Sequence, residues 1–364
     1  MESVEDIAAR LKDIEQKREL LAKCFKETDS AKITKFKFPI SPVNLNGIKI
    51  CGVDGGFLKK EYHGAGLILR RAVAVCFEYI DGRLANAKYH PSKKPFPEPI
   101  VTGPEFSDYD FNILANLSRE EVELKTCLEA IEQFSPNVLV RDGSIVLHPS
   151  SMPEQSSKAY GKYKEIISLM KELYRKCEEK HILLVGAVED SKGKRYCNIL
   201  MQEAIPALLK ANITVETLKR INDCKDVLEN TTDTLFLYNL LNVGERTAVS
   251  DYSKTSELPI LKDMEEYSRK LFVLYMKAAE FDRPLRIDFL ADFEKLDETA
   301  EKAATIIFEI SKQNRMYSYP SVLIEADARA KLMEDDIFHF KAALAEKLGR
   351  NPMLFDLRRD LRPF

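Results

Sequence analysis

The chain has 364 residues, of which 45% are hydrophobic and 31% charged, with 14 glycines and 16 prolines. That is the make-up of a globular protein of two or three domains, or of one elaborated α/β domain, and it excludes a disordered, collagenous or membrane-embedded chain. Lysine plus arginine number 55 against 58 aspartates and glutamates, a formal charge of −3, so no global basic field advertises nucleic acid and any such contact falls to local patches.

Val4, Ile7, Leu11, Ile14, Leu21 and Phe25 recur at near-heptad spacing, interrupted by Arg18. They predict an amphipathic helix over residues 1–30 that either packs on its own subunit or serves as a dimerisation arm. The opening MESVEDIAARLKD lacks the apolar core of a signal peptide, and the run Ile182 to Val188 is far short of the ~20 residues of a membrane span. The expectation is a cytoplasmic protein with no membrane contact.

Residues 29–46, with Pro39 and Pro42, read as an extended connection. From Gly47, IKICGVDGG, GLILRRAVAVCFEYI and RLANAKYHP predict three consecutive antiparallel strands, the last two joined at Asp81-Gly82. Five prolines between Pro91 and Pro104 predict a surface loop rather than a sheet element. Ser118 with Glu121 reads as a capping box opening a helix that runs to about Phe134.

PNVLVRDGS predicts a buried strand ending at Asp142, followed by a lysine-rich helix from about Ser157 to Lys180 and a buried strand in HILLVGAV. Residues 199–263 are the least readable part. YSRKLFVLYMKAA and PLRIDFLADF predict two more strands, Glu298 to Gln313 a helix, and Ser321 to Gly349 a last helix. A basic, aromatic tail at 349–364 is either a frayed end or a docking peptide. Three meandering strands followed by helix, strand, helix, strand make an α/β protein with a mixed antiparallel and parallel sheet. The seven cysteines form no Cys-x-x-Cys pair, so neither a disulfide framework nor a zinc site is indicated, and they read as buried thiols.

Chemistry can gather at Asp54 in GVDGG and Asp142 in VRDGS, two acids that each close an apolar strand before glycine. Asp-Gly is also the commonest hairpin turn, which is the structural alternative at each. If the two strands are neighbours, both acids lie on one edge of the sheet, where ligands of open α/β sheets collect. Glu123, on the helix between them, is by pattern either a surface acid or a third member. Three carboxylates from two strands and a helix suit a hard cation, which binds carboxylates, water and phosphate oxygens.

The combination of GVDGG, Glu123 set 19 residues before Asp142 of VLVRDGS, LLVGAVEDSK, PLRIDF and YSYPSVLIEADARAK resembles the NurA family. These are nucleases that work with the HerA hexameric translocase in DNA end resection. The resemblance spans residues 47–348, with 199–263 as an insert. It implies a ribonuclease H-like core carrying an N-terminal helical arm and C-terminal helices, and a homodimer that docks on a HerA-type hexameric ATPase. It also implies Mn²⁺- or Mg²⁺-dependent cleavage of single- and double-stranded DNA by a 5′ to 3′ exonuclease and single-strand endonuclease.

Carried over by motif, Asp54, Glu123 and Asp142 match the family's acids. Asp327 in IEADAR stands where the family usually has histidine, and resembles the fourth carboxylate of other ribonuclease H-like enzymes. Lys192 arrives later than the family's lysine, after Glu189 and Asp190. Lys59, Lys60, Arg70 with Arg71, Lys93 with Lys94, and Lys192 with Lys194 and Arg195 are candidates for backbone phosphates or plain solvated charges. Tyr317 and Tyr319 are candidates for stacking on unpaired bases or for packing in the core. The histidines show no ligand spacing, although His148 lies six residues past Asp142. Two other readings remain: a catalytically silent translocase adaptor, and an ATP-using member of the actin and sugar-kinase superfamily with Asp54-Gly55-Gly56 at the phosphates.

Overall fold

A computed structural model describes residues 3–30, 35–210, 213–254 and 258–347. In chain order the elements are α1 (Val4–Ser30), β1 (Lys37–Pro39), β2 (Lys49–Glu61), β3 (Gly66–Ile80), β4 (Arg83–His90), β5 (Glu98–Thr102), α2 (Asp108–Phe134) and β6 (Val138–Asp142). Next come α3 (Tyr160–Glu179), β7 (Leu183–Val188), α4 (Arg195–Ile199), α5 (Ile205–Lys210), α6 (Val215–Cys224), α7 (Asp233–Leu240), β8 (Glu245–Thr247) and β9 (Ser250–Asp251). The chain closes with α8 (Ile260–Asp263), β10 (Leu271–Lys277), β11 (Leu285–Leu290), α9 (Leu296–Ser311), α10 (Ser321–Ala330) and α11 (Glu334–Lys347). Among the described residues no helix is long and apolar enough to cross a membrane. All seven cysteines are buried and unpaired, as their scatter implies.

The elements fall into two units interleaved along the sequence. The first comprises Asn44–Gly186, Lys254–Lys270 and Ser321–Phe364. Its sheet has the order β7-β6-β2-β3-β4, with β5 also paired to β3. Apolar runs buried on both faces make β2 and β3 an antiparallel ladder from Lys49↔Glu78 to Glu61↔Gly66. Asp81 and Gly82 take φ of 52° and 73°, the primed turn that matches the twist of paired strands and joins β3 to β4.

The parallel strand β6 follows a crossover through α2 and pairs with β2 from Ile50↔Val138 to Val53↔Arg141, as a parallel neighbour requires. A Cβ at Gly52 would meet Val322 of α10, and one at Gly55 would meet Glu123 of α2. Because side chains alternate along a strand, α2 and α10 cover opposite faces of β2.

Three sequence expectations are corrected here. The proline-rich stretch does contain a strand: β5 pairs with β3 from Arg70↔Glu98 to Gly66↔Thr102. An edge strand tolerates Pro99 because its missing donor can face away from the ladder. Helix α2 begins ten residues before Ser118, with Ser107 as its cap, the hydroxyl accepting from the Asp110 amide. Phe111, Ala115 and Leu117 extend the buried face upstream, so burial carries the helix through the second box. The last helix is two helices, since Arg71 donates to the carbonyls of Ala330 and Lys331 and thereby takes over the end of α10.

The second unit comprises Met1–Val43, Ala187–Ser253 and Leu271–Pro320. Its strands are all antiparallel: β10 pairs with β11, β8 and β9, and β8 with β1. The insert is a set of short helices whose core joins Leu208, Ile221, Phe236 and Leu240 to Leu21 and Phe25 of α1. Asp233, fully buried, ties this core together by accepting from the amides of Tyr196 (3.1 Å) and Cys197 (2.9 Å) and from the Tyr275 hydroxyl (2.8 Å). The earlier half of the α1 seam, Val4, Ile7 and Leu11, is exposed in this chain. The tail expected at 349–364 lies outside the described residues.

Candidate metal centre

The site residues of the first unit meet where Asp142 ends β6 beside the middle of β2. The expectation that Asp54 closes its strand is corrected, since the ladder with β3 carries β2 on through the two glycines to Glu61. Asp54 is 6% exposed, and its carboxylate accepts the Gly55 amide at 2.7 Å. One step past the pair Val53↔Arg141, Asp142 closes the neighbouring strand, followed by Gly143 at φ 75°. Glu123 approaches from the other side. A Cβ at Gly55 would lie 2.5 Å from Glu123 Cγ and 2.7 Å from its Oε1, so only glycine lets that carboxylate pass into the plane of the strand. Asp327 stands exposed on α10, the helix on the face of β2 that carries Gly52 and Gly56, which by alternation is also the face of Asp54.

Two arginines attend Glu123. Arg141 and Glu123 are each 2% exposed. Arg141 Nη2 donates to Glu123 Oε2 at 2.9 Å and to Glu120 Oε2 at 2.8 Å. Arg119, one turn earlier on α2, brings Nε to 3.5 Å from Glu123 Oε1, beyond a hydrogen bond, and among the described residues that buried oxygen has no hydrogen-bond partner.

Burial, then Asp142, Glu123 and Asp327, pushes Asp54 up to about 8. Burial also pushes Glu123 up to about 7, with Glu120 and Asp142 adding to the rise and Arg119 and Arg141 opposing it. Crowded acids of this kind are a common mark of functional sites.

No three His, Cys, Asp or Glu side chains among the described residues are already gathered around one point at ligand distance; Glu123 is turned to its arginines instead. The donor set nevertheless fits a hard divalent cation. It consists of carboxylate oxygens, one of them buried and without a hydrogen-bond partner among the described residues, and a divalent charge would offset both the burial and the neighbouring acids that raise Asp54. Oxygen donors without thiolate or imidazole favour Mg²⁺ or Mn²⁺ over zinc.

The other expected residues are placed as follows in each unit. Lys59 pairs with Asn112, and Lys60 lies 5.9 Å from the Tyr62 ring centroid. Arg70 is committed to Glu121, Glu98 and the Ser118 carbonyl. His148 caps a turn by accepting the Ser150 amide. Lys192, Tyr317 and Tyr319 belong to the second unit. There Lys192 is exposed, Tyr317 donates to Glu189 at 2.8 Å, and the buried Tyr319 donates to the Ala187 carbonyl at 2.9 Å. Sequence reasoning passed over Arg119 and Arg141. The available signals were an arginine four residues before Glu123 on one helix face and a charged residue inside the apolar run that leads to Asp142.

A family model described as the NurA domain matches residues 48–332. Among solved structures, the NurA nuclease from Sulfolobus solfataricus is 14% identical, with 96% of this chain and 98% of that one covered at a TM-score of 0.58. A structure of NurA bound to dAMP and manganese is 12% identical, with 97% and 99% covered at 0.48. The Endonuclease V from Streptomyces avermitilis is 12% identical, with 90% and 93% covered at 0.33. None of the curated proteins compared with the chain matches it.

Proposed function

This chain belongs to the NurA family, and from that premise we propose that it is a DNA nuclease. It hydrolyses phosphodiesters with Mn²⁺ or Mg²⁺ held by Asp54, Glu123, Asp142 and Asp327. The observation that carries the proposal is the passage of Glu123 over the bare Gly55 toward Asp54 in the middle of β2 and Asp142 at the end of β6. Burial at that point raises both Asp54 and Glu123.

Asp54 and Asp142, on adjacent rigid strands, hold the cation, and Asp327 completes the set from α10. Glu123 offers Oε1 while Arg141 keeps Oε2, which fixes the carboxylate's orientation. The bound cation supplies a more acidic water and charge for the departing oxygen. The apolar strands beneath the acids keep bulk water away and strengthen each electrostatic contact.

The finer reading is a 5′ to 3′ exonuclease and single-strand endonuclease of single- and double-stranded DNA. It works as a homodimer with a HerA-type hexameric ATPase in end resection at double-strand breaks, in the cytoplasm. An adaptor without catalysis has no use for neighbouring acids that burial raises, Asp54 and Glu123 alike. A sugar-kinase-like chain needs a second copy of the mixed sheet, whereas the strands of the second unit are all antiparallel.

The test is digestion of end-labelled single- and double-stranded DNA in Mn²⁺, Mg²⁺ or EDTA, beside Asp54→Asn with an unchanged melting curve. Cutting that needs the metal and vanishes in the variant supports the reading. No cutting in any metal, with a HerA-type ATPase present, removes it in favour of the adaptor.

A further inference from the structure

The two arginines at Glu123 are held very differently. Arg141 is enclosed and makes two short hydrogen bonds, 2.8 Å to Glu120 and 2.9 Å to Glu123, so it stays where it is. The side chain of Arg119 is 36% exposed and makes only long contacts, 3.5 Å to Glu123 Oε1 and 3.6 Å to Glu120 Oε1. Its guanidinium carbon lies 6.0 Å from the centroid of the Phe57 ring. Phe57 follows Asp54-Gly55-Gly56 on β2. Arg119 is thus a loosely seated cation facing the Glu123 oxygen that no donor among the described residues satisfies.

We propose that Arg119 competes with the divalent cation for Glu123 Oε1 and, once displaced, becomes the residue that grips the DNA phosphate at the scissile bond. The inference rests on the nuclease reading above and deepens it. A divalent ion held by Oε1 would share that oxygen with the guanidinium now 3.5 Å from it, and like charges so placed repel. Arg119 then has to move, and its exposed, flexible stem allows it to.

The guanidinium has a destination. Substrate brings phosphate oxygens to the same cation, and the planar fork of arginine matches them in bidentate fashion. Arg141 cannot take that role, being 2% exposed and bonded to two carboxylates. The basic residues of β2 and β3 in this stretch are already engaged: Arg71, opposite Gly56, by the carbonyls of Ala330 and Lys331, Arg70 by Glu121 and Glu98, and Lys59 by Asn112. The exchange also links the two ligands, since metal entry frees the arginine that the DNA requires.

Arg119→Gln and Arg119→Lys, made in the full chain, test the proposal with two readouts. Titration with Mn²⁺ alone, following the paramagnetic resonance signal of the free ion, should show Arg119→Gln binding about fivefold to tenfold more tightly than the parent, since a competing charge is gone. Cleavage of a single-stranded oligonucleotide at saturating Mn²⁺ should show KM raised about tenfold or more by the loss of a charge-assisted contact, with kcat changed far less. Arg119→Lys should recover part of that KM.

Unchanged or weaker Mn²⁺ binding by Arg119→Gln overturns the competition, and an unchanged KM overturns the phosphate contact. A parent protein that neither binds Mn²⁺ nor cuts DNA removes the nuclease reading itself. That result is distinct from a failure confined to the Arg119 variants. Because Arg119 is partly exposed, its variants are expected to melt with the parent.

Discussion

Arg141→Met removes the cation that Glu123 and Glu120 share while leaving an unbranched stem in its place. Glu123 is 2% exposed, so losing a partner at 2.9 Å strands a buried carboxylate, and breaking such a pair costs about 3–5 kcal/mol. Two features hold the loss near the lower end. Arg119 stays at 3.5 Å, and Glu123, already pushed up to about 7, takes up a proton near neutrality rather than remain charged.

The expected loss is therefore about 3 kcal/mol, which at a slope of about 3 kcal/mol per molar lowers the urea midpoint by about 1 M. Adding Glu123→Gln to Arg141→Met leaves no stranded charge at that position and should recover about 1.5 kcal/mol. Urea unfolding of the parent, both singles and the double closes the cycle. A single Arg141→Met loss below about 1 kcal/mol, or a double variant as unstable as the two singles summed, would refute the claim that this arginine is the buried counter-charge of Glu123.

Three further outcomes are expected. Gly55→Ala places a methyl 2.5 Å from Glu123 Cγ, so it should cost about 1–3 kcal/mol by overpacking and abolish metal-dependent cleavage; parental activity would contradict the passage of Glu123 over this residue. Glu121 is raised by burial, but hydrogen bonds from Lys125, Arg70 and Lys162 more than reverse this and bring it down to about 2 from 4.5. Its depressed folded value contributes stability that is present above pH 4.5 and lost as pH falls toward 2, at most about 3 kcal/mol. Glu121→Gln should therefore flatten the acid limb of the stability curve, and an unaltered slope between pH 5 and pH 2 speaks against the assignment. Asp233→Ala leaves two amides and a phenol without an acceptor in the second unit and should cost about 3 kcal/mol or more, read as a fall in the urea midpoint; a fall equivalent to less than about 1 kcal/mol contradicts its place as a hub.

The strands β2, β3 and β4 were legible because apolar β-forming runs and an Asp-Gly turn specify a hairpin locally, and the acids of β2 and β6 because each follows an apolar run, although only Asp142 ends its strand. Elements whose ends depend on distant partners were not legible. Ser118 and Glu121 match a capping box as well as Ser107 and Asp110 do, and only the packing of Phe111 and Leu117 decides between them. The break between α10 and α11 is made by Arg71, some 260 residues away in sequence, and no glycine or proline announces it. Strand β5 was obscured by prolines that an edge position tolerates. The interleaving of the two units was equally hidden, because β8 and β10 pair although Lys254–Lys270, between them in sequence, belongs to the first unit. At the site, sequence supplied the acids but not the arginines, whose roles appear only when Val53↔Arg141 sets β6 beside β2.

The most direct measurement is anomalous diffraction at the manganese edge from crystals of the full chain soaked in Mn²⁺. The account predicts a peak at coordination distance from the carboxylates of Asp54 and Asp142, with Glu123 Oε1 turned toward it and Arg119 withdrawn. A peak elsewhere, or none at these acids while the soaked protein cuts DNA, would contradict the assignment of this cluster as the metal centre.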